Sequence, residues 1–126
     1  MKNFQLLCLV LFINSTLYAL PWMGSLTQVT YHQKVKHDKL NIQFKEIIDD
    51  NRCPIGMQCI TAGNATILLQ IGSKKYSIKI GENIKYKKQQ NVYDIKLIDL
   101  RPFRENGKVY DILNAFVYLQ ITKHPN

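Results

Sequence analysis

The chain is short of acid, of cysteine and of any helical rhythm. Nine aspartates and glutamates stand against 17 lysines and arginines in 126 residues, a formal charge of +8. That imbalance either attracts an anionic partner or, the reading favoured here, is a solvated face whose lysines protect an edge strand. Three cysteines are too few for a disulfide knot or for a zinc site built on two cysteine pairs. No stretch keeps apolar residues at helical spacing over three turns, which excludes a helical bundle. No apolar run reaches the about 20 residues of a membrane-spanning helix. The G-x-S-x-G, H-E-x-x-H and glycine-rich phosphate-loop patterns are missing, and with them the best-marked hydrolase, zinc-protease and nucleotide sites. His37 and Asp38 are adjacent, so on a strand they face opposite ways, and His32 falls on a polar phase. A non-enzymatic protein is expected.

The N-terminus has the composition of an export signal. Lys2 precedes an apolar run from Phe4 to Phe12, and a softer stretch closes at Leu17-Tyr18-Ala19. Residues 1–19 are expected to be a signal peptide cut after Ala19, since Pro21 disfavours a cut after Leu20. Cys8 would leave with it and stands too early to be a lipidated cysteine. The mature chain, 20–126, is expected to be one secreted or periplasmic domain without repeat, linker or low-complexity block.

The mature chain keeps Cys53 and Cys59, in DDNRCPIGMQC. An even pair in an oxidising compartment reads as an intrachain disulfide, with Pro54 and Gly56 supplying the bend. The chain-entropy model gives about 2 to 2.5 kcal/mol for so short a loop. Zinc lacks nearby ligands, because His32, His37 and His124 are distant in sequence. Copper(I) is an alternative through the sulfurs of Cys53, Met57 and Cys59, against which Met57 reads as a filler beneath the loop. Thioredoxin-like chemistry needs two residues between the cysteines and a βαβ setting. Calcium needs more oxygens than Asp49, Asp50 and Asn51 supply. Asp50 either pairs with Arg52 or accepts backbone N–H groups, and Gly63 marks a positive φ or close packing.

Apolar periodicity is two almost throughout. Leu40, Ile42 and Phe44 alternate with Asn41, Gln43 and Lys45; Ala65, Ile67, Leu69 and Ile71 repeat the pattern. Tyr76, Ile78 and Ile80 follow after a Gly72-Ser73-Lys74 turn. Tyr93, Ile95 and Leu97 lead to a phase slip toward Ile98 and Leu100, which predicts a bulge or a crossing between sheets. Ala115, Val117, Leu119 and Ile121 form a last strand, and residues 27–33 a first. The expected fold is an all-β, antiparallel, immunoglobulin-like β-sandwich of six or seven strands with a local disulfide loop, ahead of a small barrel. Asn64-Ala65-Thr66 matches a glycosylation sequon but falls on a strand.

Asp50-Asn51-Arg52-Cys53-Pro54, followed by Cys59-Ile60-Thr61-Ala62-Gly63-Asn64-Ala65, resembles a family of small uncharacterised bacterial exported proteins and lipoproteins. Their shared pattern reads approximately D-x-R-C-P, a second cysteine, then W-A-G-x-A and a strand. The resemblance spans roughly residues 40–122 and is specific only around the cysteines. It implies export and the sandwich and no particular chemistry. Thr61 stands where the pattern has tryptophan; either a binding aromatic is lost, or Met57 or Tyr93 fills the gap.

Two surface features remain. Lys74, Lys75, Lys79, Lys85, Lys87 and Lys88 crowd a stretch with a single acid, Glu82, suited to an anionic surface or to protecting an edge strand. Tyr86 alone interleaves as an aromatic, so nucleic acid is poorly supported. Residues 52–59 and 101–110 are the candidate binding loops, with Arg52, Pro54, Met57, Arg101, Phe103 and Arg104 as contacts for an unknown protein partner. Arg101-Pro102-Phe103 also resembles one motif of the chagasin-like cysteine-protease inhibitors, whose other two loop motifs are absent. No cofactor is expected.

Overall fold

The computed structural model describes residues 25–125; the expected signal peptide lies outside the described residues. Among the described residues there are eight strands: β1 (Ser25–Thr30), β2 (Lys34–His37), β3 (Leu40–Asp50), β4 (Ala65–Ile71), β5 (Lys74–Lys79), β6 (Asn83–Lys88), β7 (Asn91–Arg101) and β8 (Phe116–Pro125), with a short 3-10 turn at Ile112–Asn114. They form two four-stranded antiparallel sheets, ordered β1-β8-β7-β6 and β2-β3-β4-β5. The expected two-layer, all-β sandwich is therefore present. Its neighbours in space are neighbours in sequence throughout, and β1 lies beside β8. The connectivity is thus an up-and-down meander, flattened and opened along two seams.

The layers follow from side-chain alternation. Leu40, Ile42 and Phe44 of β3 and Ile67, Leu69 and Ile71 of β4 meet Tyr93, Ile95 and Leu97 of β7 and Val117, Leu119 and Ile121 of β8 in one core. Each fully buried aliphatic side chain contributes about 1.5 to 3 kcal/mol. No helix among the described residues is long and apolar enough to cross a membrane.

Three details differ from the sequence expectation. The first strand stops at Thr30 instead of continuing to residue 33. At Tyr31 the chain leaves the first sheet for the second: Tyr31 N–H donates to the Ala115 carbonyl (2.8 Å), and His32 N–H to that of Phe44 (2.8 Å). His32 turns this corner at φ 62°, its ring stacked on Tyr31. Second, β2 and β6 add strands beyond six. Both are short edges rich in lysine, a composition that blunts pairing with another chain and hides apolar alternation. Third, the phase slip in β7 is a bulge between Leu97 and Asp99. It buries Leu100 and leaves Ile98 on the surface, so only the later of the two expected core residues is inside.

Bulges between Phe44 and Glu46 and between Ile47 and Asp49 bend β3 in the same way. Both bent strands end at one end of the sandwich, carrying Asp50 and Asp99 there.

The bulge gives a clear expectation. Leu100→Ala should cost about 2 to 5 kcal/mol in urea unfolding, whereas Ile98→Ala should stay within about 0.5 kcal/mol. A regular strand would keep Leu100 on the same outward face as Ile98 and make both changes cheap.

Candidate functional site

At the loop end a charged side chain is buried. Arg52 is buried, only 9 % exposed. Its Nε and Nη2 donate to the two carboxylate oxygens of Asp50 (2.8 and 3.0 Å), and its Nη1 donates to the Leu100 carbonyl at 2.6 Å. The backbone N–H of Arg52 adds a contact to Asp50 (3.3 Å). Asp99 lies 3.5 Å from Nη1 and Arg104 3.7 Å from Asp50. Both alternatives for Asp50, ion pairing and backbone capping, thus hold together. The Asp50 side chain is only 1 % exposed. Burial pushes its carboxyl pKa up, but the Arg52 hydrogen bonds and charge, with Arg104 behind, outweigh burial and hold it below the ordinary value.

This pair anchors the disulfide loop. Cys53 and Cys59 are bonded to each other, leaving Met57 as the one soft ligand of the copper alternative. Among the described residues no group of three or more His, Cys, Asp or Glu gathers as a metal site. Gly63 closes the loop at φ 70°; a Cβ there would collide with the Asn51 carbonyl, so the position requires glycine.

The two candidate binding loops come together. Ile55 N–H donates to the Arg104 carbonyl (2.8 Å), and Asn106 N–H donates to the Ile55 carbonyl (3.0 Å), a parallel bridge between Ile55 and Glu105. Arg52 lies over the Phe103 ring at 4.3 Å and Arg101 at 5.2 Å, while Arg104 covers Tyr110 at 4.9 Å. Pro102 and Phe103 form a ridge between two clefts. The larger, about 480 Å³, is lined by Ile55, Arg101, Glu105, Phe116 and Tyr118 as well as the ridge. The smaller, about 210 Å³, is lined on its far side by Lys108, Val109 and Tyr110. The buried Tyr110 hydroxyl has no hydrogen-bond partner among the described residues. Burial, then the nearby Asp50 charge, raise its pKa and keep it protonated as a donor.

Pro54 is half-buried within the loop. Met57 is 49 % exposed and fills no gap beneath it. Tyr93 cannot replace the missing aromatic either, because its hydroxyl donates to Asp38 (2.7 Å) in the β2–β3 turn. Phe116 and Tyr118 were missed by sequence reasoning, although both occupy the outward phase of β8. Ile55 falls inside the expected loop 52–59 without being singled out there; an apolar residue between a proline and a glycine was its only individual signal.

The six lysines do not form one surface. Lys75 and Lys79 stand on the outer face of the β2–β5 sheet, and Lys85 and Lys87 on that of the other. Lys74 sits at the β4–β5 turn, and Lys88 donates to the Lys39 carbonyl at 2.6 Å. Tyr86 does not interleave as an exposed stacking surface: it packs against the core, edge-on to Tyr76.

Comparison with protein-family models, with curated proteins and with solved structures finds no match to this chain.

The buried pair dictates two outcomes. Arg52→Ala strands the Asp50 carboxylate and should cost about 3 to 5 kcal/mol in urea unfolding. Because Asp50 is more acidic folded than unfolded, the unfolded chain takes up the proton first as pH falls. The pair's contribution is therefore complete above the unfolded carboxyl value, about 4, and is lost as pH falls through the lower folded one. The urea midpoint should drop between about pH 5 and pH 2, and less steeply in Asp50→Asn.

Proposed function

We propose that the protein is a secreted, non-enzymatic binding module that grips a protein partner with the joined loops at one end of the sandwich. The observation that carries this reading is the ridge of Pro102 and Phe103 with a cleft on either side. Ile55, Met57, Val109 and Leu113 add exposed apolar surface to the same two loops and the turn after them, the composition of an interface centre. The disulfide, the parallel bridge and the Asp50–Arg52 pair hold the loops before contact, which lowers the ordering cost of binding. Export, with its oxidising destination, fits the closed cysteine pair, and the resemblance to small bacterial exported proteins points the same way.

The test is recovery of partners from the native extracytoplasmic fraction by oxidised protein beside Ile55→Asp. A partner retained by the wild type and weakened at least about tenfold by the substitution supports the reading; a partner bound equally by both, or none at all, rejects it. Inhibition of a papain-like protease at micromolar protein, lost in Phe103→Ala, would instead assign the chagasin-like alternative.

A further inference from the structure

The outer face of the β2–β5 sheet has a different chemistry from the loop end. Strand alternation turns Lys34, Gln43, Gln70 and Lys75 away from the core. The register places Lys34 opposite Gln43, Gln43 opposite Gln70, and Gln70 opposite Lys75. These four side chains form one row across all four strands, about 14 Å long at the usual strand spacing.

Neither lysine of the row makes an ion pair among the described residues. Lys36 and Lys79 extend the positive charge on the same two edge strands. The acids of this sheet, Glu46, Asp49 and Asp50, all lie beyond the first bulge of β3, in the half away from the row. Asp38, in the β2–β3 turn, is engaged by Lys123 and Tyr93.

A basin of about 410 Å³ covers three of the four, Lys34, Gln43 and Gln70, with Asn41 and Gly72 beside them, and Lys75 stands just outside it. The two glutamines are fixed from one side. Gln43 Nε2 donates to the His32 carbonyl (3.1 Å) and Gln70 Nε2 to that of Gly72 (3.0 Å). Each amide oxygen is left as an acceptor, and each Nε2 keeps a second N–H to donate. The row therefore suits hydroxyl groups, which both donate and accept, at its centre and negative charge at both ends. Polyphosphate has the charge without the donors, and a neutral glycan the donors without the charge.

We propose that this face binds an anionic polysaccharide, its hydroxyls donating to Gln43 and Gln70 and its acidic groups meeting Lys34 and Lys75. The experiment is titration calorimetry of the full mature protein at about 0.15 M salt with dextran sulfate, polygalacturonate, neutral dextran and linear polyphosphate. One or both acidic glycans should bind, which tells sulfate from carboxylate recognition, and dextran should not. Lys34→Glu with Lys75→Glu should weaken that binding at least about tenfold; Gln43→Leu with Gln70→Leu should weaken it about fivefold. Lys85→Glu with Lys87→Glu makes the same charge change on the opposite sheet and should alter it less than about twofold. Circular dichroism of each variant establishes folding. The proposal is overturned if neither acidic glycan binds, if both lysine pairs cause equal losses, or if polyphosphate binds as tightly as the acidic glycans.

Discussion

The loop end depends on one buried ion pair. Arg52 links the end of β3, through Asp50, to the end of β7, through the Leu100 carbonyl, and so ties the two sheets together where the irregular chain begins. A guanidinium suits this position because its planar fork donates in several fixed directions at once, whereas a lysine offers a point charge. Its remaining face carries the Phe103 ring. Burial of such a pair is costly unless its donors are satisfied, and here Asp50, Leu100 and Phe103 together surround the group. The disulfide closes the same loop a residue further on, so electrostatic and covalent restraints act on neighbouring positions.

That arrangement separates two surfaces. The loop end is aromatic, apolar and preorganised, with Arg101 and Glu105 at the cleft. The β2–β5 sheet presents amides and lysines on a regular lattice, whose spacing is set by strand geometry instead of loop conformation. One surface suits a shaped protein contact, the other a repeating ligand.

Much of the scaffold was legible because burial follows a period of two. Ile42 and Phe44, Ile67 and Leu69, and Val117 and Leu119 were assigned to the core from alternation alone, and the slip after Leu97 marked its bulge. Edge strands were less legible: in β6, Ile84 and Tyr86 alternate among lysines, so a strand reads as a charge run. The approach of Ile55 to Glu105 left no periodic trace, because contacts between distant loops depend on how two bulged strands end. The lysine cluster was misleading for a related reason. Proximity in sequence joined Lys75 to Lys85, while pairing register joined Lys75 to Lys34.

The meander has a further implication. Since β1 pairs with β8, Ser25 stands across from Ile121, and the two ends of the described chain lie side by side. Splicing those ends and opening the chain at the exposed Gly72-Ser73 turn would retain every strand partnership. The cysteine loop and its arginine would then lie near the close of synthesis, and the order in which the layers emerge would be reversed while their packing stayed the same.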